Sequence, residues 1–310
     1  MKIIVTGGAG FIGSNIVDAL IEEGHEVVVI DNLSMGFIGN LNPRAKFYEM
    51  DIRDSGIGDV FKNESPEVLI HLAAQMDVRV SIKKPIFDSA VNIGGTVNLL
   101  ENCVKYKVRK VIYSNTGGAL YGEVDERDIP VKEEHPINPL SPYGIDKHTV
   151  EHYLYLYYKN YGLNYTSLRY SNVYGNRQNP LGEAGVIAIF IDKMMNDESP
   201  IIFGDGKQTR DYVYVKDIVR GNLLALTKGD NEAVNLGSGV RISVLDIFNE
   251  LKDLMKFDKD PKFKSERMGE VKHIALNSDK AFDKLGWKTE FDFSEGIKRT
   301  LDYYKKSKMR

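Results

Sequence analysis

The sequence predicts an α/β protein built on a doubly wound parallel sheet, with a smaller α/β lobe that binds substrate. Short, nearly continuous apolar runs alternate with longer helical patterns over the first half of the chain, as in buried parallel strands joined by helices. A glycine-rich segment follows the first apolar run and opens a helical pattern. Beyond Asn172 this alternation gives way to glycine-rich turns and short strands, which indicates a second lobe.

The predicted strands of the first half occupy residues 3–6, 26–30, 46–49, 68–72, 110–114 and 165–170, with helices between them. In the second half we expect helices near residues 186–196, 244–255 and 294–305. We therefore assign residues 1–172 to a nucleotide-binding domain and residues 173–310 mainly to a substrate lobe, with a return of the chain to the first domain around residues 212–240. Ligands of such sheets bind outside the carboxyl ends of the strands, so the two lobes should face each other there.

Composition excludes several classes of function. The 310 residues carry 41 Lys and Arg against 44 Asp and Glu, a net charge of -3, with no basic block to hold a polynucleotide. The single cysteine, Cys103, has no disulfide partner in the chain, which favours a reducing compartment. No apolar run approaches the length of a membrane span, and no cleavable leader precedes Lys2. We expect a soluble, cytoplasmic protein with no nucleic-acid or membrane partner.

The glycine-rich segment is typical of dinucleotide binding. Gly7 permits the tight turn, Gly10 lets backbone amides approach a pyrophosphate, and Gly13 allows the helix to pack on the strand. Asp31 ends the second strand, where a carboxylate accepts a hydrogen bond from a ribose hydroxyl and repels a 2'-phosphate. The cofactor is therefore predicted to be NAD rather than NADP. Contacts to it are also expected from Phe11, Ile12, Asn32, Ser34, Gly36, Asp51 and Ile52.

Tyr143 and Lys147 predict the chemistry. They lie four residues apart, on one face of a helix, so the ammonium can lower the pKa of the phenol and leave a base. Such a base, beside a dinucleotide, suits redox chemistry at an alcohol carbon.

These motifs together resemble the extended short-chain dehydrogenases/reductases, and within them nucleotide-sugar epimerases of the UDP-glucose 4-epimerase type. The resemblance covers nearly the whole chain and implies a Rossmann-type fold. It is carried by the glycine segment, Asp31-Asn32-Leu33, Asp51-Ile52-Arg53, His71-Leu72-Ala73-Ala74-Gln75, Asn92, Gly95-Thr96, Ser141 to Lys147, Leu168 to Asn172, Arg210 to Val213, and Arg267 to Glu270.

The resemblance assigns roles to individual residues. It implies that Tyr143 takes the proton from a sugar hydroxyl while Lys147 holds the nicotinamide ribose. A 4-keto sugar then turns over in the site and recovers the hydride on its other face. Further cofactor contacts are implied for Leu72, Ala73, Ala74, Gln75, Asn92, Ser114 and Tyr170, and substrate contacts for Thr116, Asn172, Val186, Phe203, Arg210, Arg267, Glu270 and Ile274.

Two positions depart from the family pattern. Relatives place Ser or Thr four residues before a Tyr-Gly pair, to share the proton with the tyrosine, whereas this chain has Gly117 before Tyr121-Gly122. Thr116 is the expected substitute, with Ser114 or a water as alternatives, since the extra glycine frees the backbone to bring Thr116 inward. Asp146 stands where a small hydroxyl residue usually precedes the lysine, and it either pairs with Lys147 or faces solvent.

Alternatives within and outside the family remain open. Dehydratases and decarboxylases carry acids in the segment that here reads Gly117-Gly118, so epimerisation is favoured over both. A UDP-glucuronate substrate is a further alternative. A non-catalytic NAD sensor on the same fold is a rival of a different class, although the chain retains both Tyr143 and Lys147. Ile274, seven residues after Arg267, replaces a bulky aromatic that disfavours N-acetylated sugars, so UDP-N-acetylglucosamine is an expected additional substrate.

Two patterns on the helix after Tyr143 invite other interpretations. His148 and His152 match the spacing of a helical zinc site, but no third ligand is evident, so no metal is predicted. A tyrosine-rich run from Tyr153 to Tyr161 is interpreted as packing. By resemblance, this helix and the one from Asn92 to Tyr106 pair with their copies in a homodimer.

Overall fold

The structure is a computed structural model that describes residues 1–180, 185–266 and 271–308. Its strands are β1 Lys2–Thr6, β2 Glu26–Asp31, β3 Lys46–Glu49, β4 Val68–His71, β5 Lys110–Thr116, β6 Asn164–Tyr170, β7 Asn172–Tyr174, β8 Ile201–Phe203, β9 Thr209–Tyr214, β10 Glu232–Leu236, β11 Arg241–Ser243 and β12 Lys262–Lys264.

Its helices are α1 Phe11–Glu22, α2 Ile57–Glu64, α3 Val78–Lys83, α4 Pro85–Ser89, α5 Thr96–Lys105, α6 Gly117–Leu120, α7 Pro142–Tyr161, α8 Val186–Met195, α9 Val215–Ala225, α10 Val244–Met255, α11 Asp279–Leu285 and α12 Phe293–Lys308. A π-helical segment, Ala90–Gly95, joins α4 to α5. None of the described helices combines the length and apolar character needed to cross a bilayer.

A seven-stranded parallel sheet in the order β10-β6-β5-β4-β1-β2-β3 forms the centre of the molecule. Neighbouring residues of β1 face opposite sides of it, because side chains alternate along a strand. Ile3 and Val5 pack in one apolar cluster, and Ile4 packs in another. Burial on both faces explains the continuous apolar runs in the sequence, and the prediction of a doubly wound α/β fold is confirmed.

The chain after Asn172 forms smaller sheets and also returns to the main one. β7, β9 and β11 form a three-stranded sheet, and β8 pairs with β12. β10 then lies alongside β6, with Glu232 opposite Thr166 and Leu236 opposite Tyr170. The last strand of the central sheet therefore comes from residues that lie between strands of the small sheets in sequence, after β9 and before β11.

α7 carries the predicted tyrosine and lysine, and its start is fixed locally. Ser141 is the N-cap, and its hydroxyl accepts a hydrogen bond from the Gly144 N–H at 3.2 Å. Pro142 takes the first helical position, which needs no N–H donor. The helix ends at Gly162, which has a φ of 71°.

Candidate active site

The glycine segment forms a tight turn between β1 and α1. Gly7 has a φ of +72°, and the Gly10 N–H donates to the Gly7 carbonyl at 3.1 Å. A Cβ on Gly13 would lie 2.1 Å from the Gly7 oxygen, so only glycine lets α1 approach the turn this closely. The first turn of α1 has no side-chain cap, which leaves its N–H groups available to a phosphate. The geometry fits a pyrophosphate.

The Asp31 carboxylate is held rigidly at the end of β2. It accepts hydrogen bonds from the N–H groups of Ala9, at 3.0 Å, and Leu33, at 2.9 Å. A Cβ on Gly36 would lie 2.8 Å from Asp31 Oδ1, so a side chain there would crowd the carboxylate. Each carboxylate oxygen retains a lone pair, which is what a ribose hydroxyl needs.

Asp51 and Asn32 are engaged with each other and with Arg53. Arg53 donates to both Asp51 oxygens, at 2.8 and 2.9 Å, and Asn32 Nδ2 donates to Asp51 Oδ2 at 2.9 Å. These hydrogen bonds lower the pKa of Asp51 to about 2, and those from the Arg53 side chain have the largest effect. Ser34 Oγ in turn donates to the Asn32 side-chain carbonyl. Ile52 is 4% exposed and packs beneath Gly95, so little of its side chain can meet an adenine.

Asn92 positions the segment after β4. Its amide accepts from the Gln75 N–H at 2.8 Å and donates to the Gln75 carbonyl at 3.0 Å. Thr6 Oγ1 accepts from the Ala73 N–H at 3.2 Å. The segment from Leu72 to Gln75 is thus fixed at the carboxyl edge of the sheet. Tyr170 is buried and its hydroxyl is hydrogen-bonded to Asn222, so mainly its backbone is available to contact a cofactor.

Lys147 is 3% exposed and lies against β5. Its Nζ donates to the Ser114 carbonyl at 2.8 Å and lies 4.6 Å from the centre of the Tyr113 ring. Burial lowers the pKa of Lys147 to about 7, and the negative charge of Asp88 opposes that shift. His71, bonded to Thr6 and Thr96, is neutral because burial and then the Lys147 charge lower its pKa to about 3.

Tyr143 differs electrostatically from the sequence-based expectation. Within the polypeptide, burial and then the negative charge of Asp88 raise its pKa above the ordinary value of a phenol. The expected lowering by Lys147 is not the dominant influence, because desolvation of the phenolate outweighs it. A general base at this position therefore needs a further positive charge nearby.

Thr116 and Asn172 converge on Gly118. A Cβ on Gly118 would lie 4.0 Å from Thr116 Oγ1 and 3.4 Å from Asn172 Oδ1. Gly144, next to Tyr143, contacts the same short helix, since its Cβ would lie 2.6 Å from the Ala119 carbonyl oxygen. α6 thus brings Thr116 and Asn172 toward the start of α7.

A side chain at residue 117 would point away from Gly118, Thr116 and Asn172. A Cβ on Gly117 would lie 2.3 Å from Leu276 Cδ1, within the apolar cluster of Leu120, Tyr121, Val131, Ile274 and Leu276. A hydroxyl side chain at residue 117 would therefore enter the core. The geometry favours Thr116 as the hydroxyl group of this segment.

The predicted substrate contacts are only partly brought together. Arg210 lies on β9 and donates to the carbonyls of Thr209, at 3.0 Å, and Lys272, at 3.3 Å. Val186 and Phe203 are half-buried at the start of α8 and the end of β8. Arg267 and Glu270 lie outside the described residues. The expectation that Ile274 contacts the sugar is wrong, because its side chain is 2% exposed and packs in the cluster around Leu276.

Asp88 is a site residue that the sequence analysis missed. It is fully buried on α4, and its charge acts on both Tyr143 and Lys147. The sequence could have indicated Asp88 only through its position one helical turn before Asn92, a predicted cofactor contact. Both alternatives for Asp146 are wrong: it is 3% exposed, accepts a hydrogen bond from Ser89 Oγ at 3.1 Å, and has its pKa raised by burial and by Asp88.

The other patterns on α7 serve packing. The rings of His148 and His152 meet edge to face, with centres 4.7 Å apart and planes at 63°. Within the described parts of the chain, no group of three or more His, Cys, Asp or Glu side chains is placed to hold a metal ion. Tyr157 is buried with its hydroxyl on Glu101, and Tyr153 and Tyr158 pack against the core, whereas Tyr155 and Tyr161 are exposed.

The phosphate-binding turn, the fixed Asp31 and the buried tyrosine–lysine helix define the class: an enzyme that binds a dinucleotide. The model of the NAD-dependent epimerase/dehydratase family matches residues 3–237. A putative UDP-glucose 4-epimerase of Methanocaldococcus jannaschii is 50% identical over 303 residues, covering 98% of both chains.

Solved structures extend this similarity to the whole fold. The UDP-glucose 4-epimerase of Thermotoga maritima, crystallised with UDP-glucose, superposes with a TM-score of 0.97 at 49% identity and 99% coverage of both chains. The UDP-N-acetylglucosamine 4-epimerase of Methanobrevibacter ruminantium, in complex with UDP-N-acetylmuramic acid, gives a TM-score of 0.93 at 36% identity, over 99% of this chain and 98% of that one. The chain belongs to the NAD-dependent epimerase/dehydratase family. It is an NAD-dependent UDP-sugar 4-epimerase of the isomerase class.

Proposed function

We propose that the protein interconverts UDP-glucose and UDP-galactose through a transient 4-keto sugar. The observation that carries this is the convergence of Thr116, Asn172 and the start of α7 around Gly118, at the end of the strand that holds buried Lys147 through the Ser114 carbonyl. NAD, when bound, supplies the hydride acceptor and, in its oxidised form, a positive charge on the nicotinamide ring. That charge is of the kind that buried Tyr143 requires to act as a phenolate.

The protein's own residues manage the proton and the orientation of the sugar. Thr116 shares the proton of the sugar hydroxyl with Tyr143, which takes it as general base and returns it after the keto sugar has rotated. Lys147, fixed by the Ser114 carbonyl, stabilises the phenolate and holds the ribose of the cofactor. Arg210 and Arg267 bind the nucleotide diphosphate with assistance from Asn172, and Glu270 accepts a hydrogen bond from the ribose of the nucleotide. The dry surroundings strengthen each of these interactions.

The test combines cofactor release with product analysis. Purified protein should release NAD on denaturation and should interconvert the two UDP-hexoses, separated by capillary electrophoresis. Tyr143→Phe should lower kcat at least 1,000-fold, roughly the contribution of general base catalysis, while NAD content stays unchanged. Tyr161→Phe, an exposed tyrosine at the far end of α7, is the control and should keep full activity. NAD binding without turnover of any UDP-sugar would favour the sensor instead.

We propose that UDP-N-acetylglucosamine is also epimerised. The fold of a UDP-N-acetylglucosamine 4-epimerase superposes on this chain with a TM-score of 0.93, and this similarity supports the extension, whereas buried Ile274 does not bear on it. Because Ile274 lies in a packed cluster, an Ile274→Tyr variant would overpack it, and wild-type kcat/KM values for the two sugars are the cleaner comparison. Absence of activity on the N-acetylated sugar would contradict this extension.

We further propose that the enzyme is a homodimer, located in the cytoplasm. Ile145 and Leu156 are 52% and 45% exposed on one side of α7, and Ile86 on neighbouring α4 is 87% exposed. Exposed apolar side chains on two helices that pack together suit an interface between subunits.

A further inference from the structure

Two buried carboxyl groups lie behind the tyrosine and the lysine of α7. Asp88 on α4 is fully buried and Asp146 on α7 is 3% exposed, and the two helices pack against each other. Charged carboxylates are almost never fully buried unless they are paired, and no cation forms an ion pair with either one among the described residues. Another arrangement must therefore accommodate their charge.

The hydrogen bonds show what that arrangement is. Asp88 Oδ1 accepts from Gln75 Nε2 at 2.5 Å, and Asp146 Oδ1 accepts from Ser89 Oγ at 3.1 Å. The Oδ2 atom of each is buried and has no donor among the described residues. The bond from Ser89, the residue after Asp88, brings Asp146 to the same end of α4, and the interaction with Asp88 raises the pKa of Asp146. Two carboxylates cannot bond each other without a proton between them, so a single shared proton satisfies both groups.

The remaining negative charge acts on the site residues. The charge of Asp88 raises the pKa of Lys147, opposing burial, and it also raises the pKa of Tyr143. The other titratable groups near Lys147 are Tyr113, whose pKa is raised well above its ordinary value, and His71, which is neutral. Asp77 lies on the neighbouring segment, where it caps α3 and pairs with Arg79, and Glu151 one turn along α7 is neutralised by Arg169. Asp88 is thus the charged group whose field acts on the pKa of Lys147.

We propose that Asp88 and Asp146 hold one proton between them and that the single negative charge of this pair keeps Lys147 protonated in the dry site. The two aspartates are positioning residues: they act through Lys147 and touch neither substrate nor cofactor. The proposal rests on the function proposed above for Lys147 and Tyr143. The hydrogen bond from Gln75 to Asp88 also ties the pair to the segment after β4.

The shared proton is tested by the pH dependence of stability. Burial, and then the hydrogen bond with Asp88, raises the pKa of Asp146 to about 7. The stability that this carboxyl contributes is fully present below its ordinary pKa of about 4 and is lost as pH rises through 7. Relative to Asp146→Asn, the unfolding constant of the wild type should therefore rise up to about tenfold per pH unit between pH 4 and 7, and level off above it.

Urea unfolding with NAD present throughout measures this difference. Asp59→Asn, which removes an exposed carboxylate of α2, should follow the wild type at every pH. A wild type and an Asp146→Asn variant with parallel pH profiles would overturn the shared proton.

The effect on Lys147 is tested by removing the charge. An Asp88→Asn/Asp146→Asn double variant has no negative charge left, whereas Asp146→Asn alone retains one on Asp88. The double variant should lose kcat with little change in KM. The alkaline limb of its kcat–pH profile should move at least one unit to lower pH, because Lys147 loses its proton at a lower pH. The single variant should shift less. An unshifted alkaline limb in a folded double variant would overturn the proposal.

Activity and stability measurements distinguish a failure of this inference from a failure of the proposed function. Full activity of Tyr143→Phe would refute the catalytic role of the tyrosine, and the stability profile would still decide whether the aspartates share a proton. If the double variant does not fold, that same profile decides the outcome.

Discussion

Thr116 has both a structural and a proposed catalytic role at the end of β5. Its Oγ1 accepts a hydrogen bond from the Ala119 N–H at 3.2 Å, which caps the short helix α6. The same oxygen lies near Gly118 and Asn172, where the sugar is expected. The hydroxyl hydrogen is not needed for the cap, so it remains available to a sugar oxygen.

We predict that Thr116→Ala lowers kcat roughly tenfold to a thousandfold, less than loss of the base, because the phenol can still accept the proton unaided. Loss of the cap should also cost about 1 kcal/mol of stability. Thr116→Ser should restore most of both, and Thr227→Ala at an exposed threonine is the matched control. Wild-type turnover in Thr116→Ala would remove the residue from the mechanism.

Adding Gly117→Ser to Thr116→Ala should not rescue activity. The new side chain would point toward Leu276 and not toward the sugar, so it should destabilise the protein by about 1–3 kcal/mol. Steady-state rates and urea unfolding measure the two effects, and recovered turnover would show that residue 117 can face the site.

Single residues also mark where prediction from the sequence succeeds. Tyr143 and Lys147 are recognisable because their spacing along one helix is itself the chemical requirement. The pairing of Asp146 with Asp88 depends on how α4 packs on α7, which no local pattern specifies. The electrostatics of Tyr143 were mispredicted for the same reason, since burial is a property of the folded chain.

At the scale of elements, a buried ion pair joins α7 to β6. Glu151 accepts from Arg169 Nε at 2.9 Å and from Nη2 at 2.7 Å, and Ser167 and Asn115 donate to the same carboxylate. Arg169 also donates to Tyr121. Burial by itself would raise the pKa of Glu151, but the His148 ring, with Nδ1 3.6 Å from Oε2, and the hydrogen bonds from Arg169 outweigh it and hold the pKa at about 2. The network fixes α7, and with it Tyr143, against the sheet.

We predict that Glu151→Gln destabilises the protein by roughly 3 kcal/mol at neutral pH, because the Arg169 charge is left buried without a partner. A lowered pKa contributes stability above the ordinary value of about 4, and that stability is lost as pH falls toward 2. The difference in unfolding free energy between the wild type and the variant should therefore shrink as pH falls from about 4 toward 2. Urea unfolding checks this, with exposed Glu123→Gln as control, and a constant difference down to pH 2 would contradict it.

Elements were predicted best where sequence and burial agree. The strands of the first half begin and end within two residues of their predicted bounds. For the central strands this follows from burial, since buried parallel strands are mostly apolar, whereas the edge strand β3 is only partly buried. β10 was foreseen only as a return of the chain to the first domain. Its sequence, Glu-Ala-Val-Asn-Leu, carries too little pattern to identify a central-sheet strand.

At the scale of the whole molecule, the proposed dimer makes a direct prediction. Leu156→Glu places a charge among exposed apolar side chains of α7 and should convert a dimer to monomers, because a buried unpaired charge opposes association. Sedimentation velocity measures the change. Phe282→Glu, at an apolar residue of α11 that is 59% exposed against 45% for Leu156, should leave the dimer intact, and an unaltered Leu156→Glu dimer would place the interface elsewhere.

The position of β10 has a consequence for synthesis of the enzyme. Its hydrogen-bonding partner β6 ends at Tyr170, but residues 171–231 must leave the ribosome before β10 does. During that interval the nascent sheet presents the backbone N–H and C=O groups of β6 to any other extended chain. Chaperones that cover open strand edges should therefore matter most for this protein between the translation of these two strands.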